Sequence, residues 1–114
     1  MEIEKGFYYH YKHDPNGPID DAAYELLGRA FNTESGGTHS DDPSDFLEDE
    51  VVVYRPLFRE SLAYKAGGRF WTRPVKMFLE EVSYGDARVL RFQKIADPSV
   101  LAVLEKNRRE MYGE

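Results

Sequence analysis

The sequence predicts a mainly β fold: a small, strongly bent, SH3-like barrel of five to six antiparallel strands with a C-terminal helix. Three observations support it: short aromatic and β-branched segments recur, turn signals separate them about every ten residues, and one helical pattern ends the chain. An α+β arrangement, a twisted antiparallel sheet with a packed helix, is the alternative that the same elements allow. The length of 114 residues corresponds to a single domain over 1–114.

Two strands are predicted in the first third of the chain. Residues 7–12 read F-Y-Y-H-Y-K, an aromatic-rich segment typical of a strand. The cluster Asp14–Pro18 contains Asn-Gly between prolines and predicts a turn. Residues 23–31 then predict a second strand, with Gly28 marking a bulge or a close approach.

The middle of the chain carries the strongest strand signal. Val51–Tyr54 is apolar on both faces and is predicted to be a central strand, which Pro56 ends because proline lacks a backbone donor. A weaker continuation through Leu57–Arg59 is also compatible with the pattern. The later predicted elements are, in order, a turn at Ala66–Gly68, a strand at Phe70–Arg73, one helical turn at Pro74–Phe78 running into a strand, a hairpin turn at Tyr84–Ala87 and a returning strand at Arg88–Phe92.

A helix is predicted over 97–112. Asp97 is a typical N-cap and Pro98 suits the first helical position. Apolar residues follow at helical spacing, and Glu105 with Arg109 forms a predicted i,i+4 ion pair. Gly113 is a natural stop. The apolar stripe of this helix is expected to pack on the β core.

Composition excludes several classes of protein. With 41% hydrophobic and 14% aromatic residues, the chain is too apolar to be disordered. The absence of cysteine excludes a disulfide framework, a zinc–thiolate site and a cysteine nucleophile. No apolar run approaches the roughly 18 residues of a membrane span, and the N-terminus lacks the pattern of a signal peptide. We therefore predict a cytoplasmic protein without a membrane partner.

Charge is distributed unevenly. The formal net charge is −6, but residues 1–50 carry 13 acidic and 3 basic side chains, whereas residues 51–114 carry 8 acidic and 12 basic ones. Much of the acid lies in the segment 33–49, whose glycine, serine and proline predict a flexible acidic loop. The later basic residues alternate with aromatic ones, so an acidic protein can still present a basic face.

Four segments recur in an order that resembles a known family. They are Tyr9-His10-Tyr11-Lys12, Val52-Val53-Tyr54-Arg55-Pro56-Leu57, Trp71-Thr72-Arg73-Pro74 with Met77-Phe78-Leu79-Glu80, and Arg91-Phe92. Together they are similar to the bacterial domain-of-unknown-function family 1653, whose pattern runs H-Y-K-G, V-V-Y-R, W-V-R-P, M-F-x-E-x-V and R-F. The resemblance covers about residues 6–95. His13 stands where the family has glycine, and Thr72 where it has valine. Membership implies a fold and leaves the activity open.

The family-like segments contain a mixture of arginine and aromatic side chains that predicts a binding surface. On a small barrel such a surface suits a nucleotide or a single-stranded nucleic acid, because rings stack on bases and guanidinium groups bind phosphate. The candidate ligand-binding residues are His10, Lys12, Tyr54, Arg55, Trp71, Arg73 and Arg91. The competing interpretation is structural: Tyr54 and Trp71 fill the barrel while Arg73 and Arg91 pair with Glu80 or Glu81.

Other functions are compatible with the same residues. An SH3-like module could hold a protein or peptide in a groove lined by Tyr8, Tyr54 and Trp71. An enzyme could use His10 with Glu80, although no nucleophile elbow, phosphate loop or H-E-x-x-H motif is present. No catalytic residue, metal site or cofactor is assigned, and a monomer and a symmetric dimer are equally compatible with the sequence.

Overall fold

The computed structural model describes residues 3–31, 50–67 and 70–114. The predicted acidic loop at 33–49 and the last residue of the predicted turn at Ala66–Gly68 lie outside the described residues. The strands are β1 (Gly6–His10), β2 (Ala23–Phe31), β3 (Glu50–Pro56), β4 (Trp71–Pro74), β5 (Glu81–Tyr84), β6 (Ala87–Leu90) and β7 (Phe92–Lys94). The helices are α1 (Leu62–Lys65), α2 (Val75–Phe78) and α3 (Pro98–Tyr112).

The strands form one open sheet and one separate hairpin. The five-stranded sheet has the order β4-β3-β2-β1-β7 with antiparallel neighbours, and β5 pairs only with β6 within the described chain. The SH3-like barrel prediction is wrong, because β4 and β7 remain separate edges. The alternative prediction of an antiparallel sheet with a C-terminal helix is the one that the structure shows.

The strand predicted to return after the hairpin turn is interrupted at Arg91. The predicted returning strand Arg88–Phe92 is two strands, since the chain breaks between β6 and β7. At the break the Arg91 N–H donates to the Glu80 carbonyl at 2.8 Å, and the Arg91 carbonyl accepts from the Tyr11 N–H at 2.8 Å. The chain therefore pairs first with β5 and then with β1, and none of the described strands joins the two edges of the sheet.

Most local predictions are confirmed. β2 has its predicted bounds, and its register shifts between Leu26 and Gly28, where the bulge was expected. β3 is paired on both sides and ends at Pro56. The helical turn α2 precedes β5, and the hairpin turns through Gly85, whose φ of 65° favours glycine.

Two predicted strand extensions are wrong. The first strand stops at His10 instead of Lys12, because the His13 N–H closes a turn onto the His10 carbonyl at 2.9 Å. The chain after Pro56 also leaves the sheet, and the Ser61 N–H donates to the Phe58 carbonyl at 3.2 Å. The short helix α1 follows, with Ser61 as its N-cap, and was not predicted.

Each face of the sheet carries its own apolar core. The face toward α3 holds the helix-side core, and the opposite face, covered by α2, holds the aromatic core. The helix-side core consists of Phe7, Ala23, Leu57, Ile95 and Leu104. The aromatic core consists of Tyr8, Leu26, Val52, Tyr54, Phe78 and Phe92. Neighbouring residues of one strand alternate between the two cores, as the pleat requires.

The predicted helix α3 is confirmed together with its caps. Asp97 accepts from the Ser99 N–H at 2.9 Å, Pro98 begins the helix, and Gly113 ends it with a φ of 75°. Burial raises the pKa of Tyr112 to about 12, so its hydroxyl stays protonated. That hydroxyl donates to the Pro56 carbonyl at 2.6 Å and joins the helix end to the sheet.

A buried ionic cluster lies between the sheet and α3. Glu25 accepts from Arg55 Nε at 2.8 Å and from Arg108 Nη1 at 3.2 Å. Arg55 also pairs with Glu114, and its guanidinium lies 4.1 Å from the centre of the Tyr112 ring. The side chains of Arg55 and Glu25 are only 7% and 11% exposed, so each needs the other as a partner.

Truncating Leu104, which packs α3 onto the sheet, should destabilise the fold. Leu104 is fully buried in the helix-side core, and Leu104→Ala removes apolar contacts and leaves a cavity. We expect a loss of about 2–5 kcal/mol in the free energy of unfolding, measured by urea denaturation. The neighbouring Val103 is 37% exposed, and Val103→Ala should change the same quantity by less than about 1 kcal/mol. Equal losses for both variants would contradict this packing.

Removing the Glu25 carboxylate, which Arg55 and Arg108 share, should lower the free energy of unfolding more than removing an exposed carboxylate does. Glu25→Ala leaves two guanidinium groups without their buried partner, so we expect a loss of about 3–5 kcal/mol in unfolding free energy. The matched control is Glu81→Ala, which breaks the exposed 3.4 Å pair with Arg88 and should cost less than about 1 kcal/mol. Chemical denaturation of both variants provides the comparison, and similar losses would show that the buried cluster contributes little.

Candidate functional site

Three of the predicted ligand residues come together over the aromatic core. The Arg73 guanidinium, from edge strand β4, lies 5.5 Å from the centre of the Phe92 ring in the opposite edge strand β7. The His10 ring lies 5.2 Å from the same Phe92 ring, and Arg91 immediately precedes it in the chain. Side chains from two opposite edges can meet only because the twisted sheet curls toward this face.

The Phe92 ring forms the floor of this surface. Phe78 stacks on it at 4.8 Å, and the rings of Tyr24 and Tyr54 both contact it edge-on at 6.0 Å. Tyr54 is only 3% exposed, so the structural interpretation is correct for this residue. Trp71 is 46% exposed and contacts Tyr54 edge-on at 6.4 Å, so it does not fill a core. Trp71 thus offers a ring face at the β4 edge.

His10 stays neutral at physiological pH. Burial, followed by the positive charges of Arg73, Arg91 and Lys12, lowers the pKa of His10 to about 4. Its Nδ1 accepts a hydrogen bond from the Lys12 N–H at 3.2 Å. The proton of the neutral ring therefore lies on Nε2, which is a donor. Three cations that together depress one imidazole pKa define a locally positive surface on an acidic protein.

The two arginines differ in how they are paired. Arg91 Nη2 donates to Glu80 Oε1 at 2.9 Å, as the structural interpretation predicted. Among the described residues no carboxylate pairs with Arg73, although Glu80 or Glu81 was expected. The Nε of each arginine is buried without a hydrogen-bond partner in the described chain. Each buried donor of this kind that lacks a partner costs about 1–3 kcal/mol.

An aromatic cavity of about 340 Å³ adjoins the cationic surface. Its lining residues are Tyr9, His10, Tyr11, His13, Pro15, Tyr84, Val89 and Gln93. The Tyr11 and Tyr84 rings meet edge-on at 5.8 Å, and the Arg91 guanidinium lies 5.9 Å from the Tyr11 ring. His10 lines the cavity and also contacts the Phe92 ring, so the cavity and the cationic surface adjoin at this residue.

Two residues that were predicted to take part in ligand or peptide binding, Arg55 and Tyr8, do not lie on the cationic surface. Arg55 lies on the opposite face in the buried ionic cluster, because it alternates with Tyr54 along β3. Arg55 therefore lies apart from the other candidate ligand residues, and its guanidinium is already paired with Glu25. Tyr8 is buried as well, and its hydroxyl donates to the Glu4 carbonyl at 2.6 Å. A surface groove lined by Tyr8 and Tyr54 is therefore not present.

The sequence analysis missed several residues of the cavity. Tyr84 precedes the hairpin glycine and Tyr11 follows β1, and nothing in their spacing signals that the rings meet. No ligand-binding role was predicted for His13; its ring stacks on Tyr9 at 3.7 Å, and its Nδ1 lies 2.6 Å from the Asp21 carbonyl oxygen. His13 therefore supplies part of the cavity wall.

The geometry offers little for acid–base catalysis. Glu80 is bonded to Arg91, and no hydrogen bond joins it to His10 among the described residues. An imidazole with a pKa of about 4 is a weak base near neutral pH. In the ranges 3–31, 50–67 and 70–114 no three His, Asp or Glu side chains are grouped to hold a metal ion. Within the same ranges no helix is both long and apolar enough to cross a bilayer.

The family resemblance noted from the sequence motifs is confirmed by comparison with protein-family models. The model for "Protein of unknown function (DUF1653)" matches residues 6–94. The chain belongs to the DUF1653 family. His10, Arg73 and Arg91 all lie in the matched residues, whereas α3 follows them. No curated protein and no solved structure matches the chain.

Acid should destabilise the protein through His10. Its folded pKa of about 4 is below the usual 6.5, so the unfolded chain binds the proton more tightly. Stability should therefore fall as pH decreases from about 6.5 to about 4. NMR titration of the imidazole gives the folded pKa, and urea denaturation across this range gives the stability. His10→Gln should flatten the dependence; a folded pKa at or above 6.5 would contradict the described environment.

Proposed function

We propose that this domain binds a nucleotide unit, either free or within a single-stranded nucleic acid. The phosphate would lie against Arg73, Arg91 and the Nε2–H of His10, and the base would enter the aromatic cavity. The observation that carries the proposal is the shared position of His10, which belongs to both the cationic surface and the cavity. A nucleotide joins the same two chemistries, an anion and a π-face, in one molecule.

Charge supports a phosphate over a neutral ligand. Three cations surround a neutral imidazole donor, and Arg73 has no carboxylate partner among the described residues. A phosphate accepts several hydrogen bonds and matches the planar fork of arginine. The overall charge of −6 counts against tight duplex binding, which usually requires a broad basic surface. A ligand of one or a few nucleotides suits a basic surface of this limited extent.

The size of the cavity supports the same ligand class. Its volume of about 340 Å³ lies at the lower end of ordinary small-molecule sites. Tyr11, Tyr84 and His13 provide rings for stacking, which contributes about 1–3 kcal/mol per base. A single base would therefore occupy the cavity, while further nucleotides of a strand would extend outside it.

A protein or peptide partner is the second candidate, and one observation favours it. β4 is an edge strand whose outer side has no partner among the described strands, and Phe70 and Trp71 are exposed there. An extended peptide could add to such an edge through backbone hydrogen bonds. Binding of this kind would depend on Trp71 but not on the pKa of His10.

The first test is an NMR titration with AMP, UMP and a mixed-sequence single-stranded RNA at low and moderate salt. We expect salt-sensitive shifts at His10, Tyr11 and Tyr84. Arg73→Ala and Arg91→Ala should each weaken binding about tenfold, because a lost charge-assisted hydrogen bond is worth about 1.5–3 kcal/mol. The charge-matched control is Arg109→Ala, on the exposed side of α3, and it should leave affinity nearly unchanged.

The pKa of His10 separates specific binding from a general charge effect. A bound phosphate offsets the neighbouring cations and stabilises the imidazolium, so the pKa should rise from about 4 on binding. By linkage, affinity should increase as pH falls toward that value. Shifts confined to Phe70 and Trp71, with an unchanged His10 pKa, would overturn the nucleotide proposal and favour the peptide. Equal losses for all three arginine variants would indicate nonspecific attraction.

A further inference from the structure

A second cavity lies on the other face of the sheet, between α3 and the β1–β2 pair. We call it the helix groove. Its volume is about 470 Å³, and it shares no lining residue with the aromatic cavity. Its sheet wall includes Lys5, Phe7, Leu27 and Ile95, and its helix wall includes Leu101 and Glu105. The groove is thus an independent place for a ligand.

The bottom of the groove is apolar. Phe7 and Ile95 belong to the helix-side core, and Leu101 packs against that core from α3. Leu27 lies at the β2 bulge, where the register with β3 shifts, and it also lines the groove. A bulge adds an unpaired residue and redirects a side chain, and here it brings Leu27 to the groove. A branched aliphatic group would find contacts on both walls.

The rim carries ionic groups, of which two are unpaired. Arg108 is bonded to Glu25 in the buried cluster, and Lys94 pairs with Glu4. Lys5 and Glu105 form no ion pair within the described chain, although both line the groove.

The predicted ion pair between Glu105 and Arg109 is not formed within α3, and Glu105 therefore stays available. Glu105 was expected to bind Arg109, but the i,i+4 pair that α3 forms is Lys106 with Glu110, at 4.0 Å. Lys5 precedes β1 on the sheet wall, and Glu105 lies on the helix wall. A positive and a negative group therefore face one apolar cavity from opposite sides without contacting each other.

We propose that the helix groove binds a free α-amino acid with an apolar side chain. Its carboxylate would lie toward Lys5, and its ammonium group toward Glu105. Its side chain would rest on Leu27, Ile95 and Leu101. Complementary charge selects this chemistry: a simple carboxylate would leave Glu105 unpaired, and a simple amine would leave Lys5 unpaired. A volume of about 470 Å³ accommodates a molecule of this size.

The test compares L-leucine with its two half-molecules, 4-methylpentanoate and 3-methylbutylamine, using the full chain. In an NMR titration at low salt, leucine should cause saturable shifts at Leu27, Ile95 and Leu101. Each analogue should bind at least about fivefold more weakly, because it satisfies only one of the two charges. Phenylalanine in place of leucine tests whether the apolar contact accepts other side chains.

Charge-neutral variants provide the decisive comparison. Lys5→Gln and Glu105→Gln are exposed changes that preserve the fold, and each should weaken leucine binding about fivefold to tenfold. Lys5→Gln should not weaken binding of the amine, and Glu105→Gln should not weaken binding of 4-methylpentanoate, because each change removes a charge of the same sign as the ligand. Lys106→Gln, outside the groove on α3, is the control and should retain full affinity. No saturable shifts with leucine, or equal affinity for leucine and both analogues, would overturn the proposal.

Discussion

The carboxylate of Glu25 is the group on which the arrangement of sheet and helix depends. It lies between the guanidinium groups of Arg55 and Arg108 and is itself largely buried. Arg55 and Glu25 occur on neighbouring strands, but Arg108 comes from α3, so the charges are satisfied only when the helix is docked. The helix in turn completes one wall of the helix groove. The family match ends at residue 94, and the helix partners of this cluster therefore lie beyond the matched residues.

The two faces of the sheet use charge in opposite ways. Under α3, cations and carboxylates are buried together, and they hold the helix in place. Over the aromatic core, burial lowers the pKa of His10 most, and the nearby charges of Arg73, Arg91 and Lys12 lower it further. A chain with a net charge of −6 can carry such a surface because fields act over short distances in salt water.

Local features were predictable because nearby residues decide them. Asp97, Pro98 and Gly113 define the ends of α3 through hydrogen bonds and dihedral angles within a few residues. Gly28 and Pro56 likewise mark the bulge and the end of a strand. Closure into a barrel depended on a distant event, the pairing of the segment around Arg91 with two different partners. No local pattern distinguishes a strand that continues there from one that breaks.

Among the candidate site residues, the sequence by itself determined their chemistry, their order and their alternation along each strand. It could not decide which face α3 would cover, and that choice buried Arg55 while leaving Arg73 over the Phe92 ring. Nor did the sequence predict that the Tyr11 and Tyr84 rings are in contact, or that Lys5 and Glu105 line the same groove. Only the tertiary structure decided these contacts, because they depend on sheet curvature and helix docking, which set distances between residues far apart in the chain.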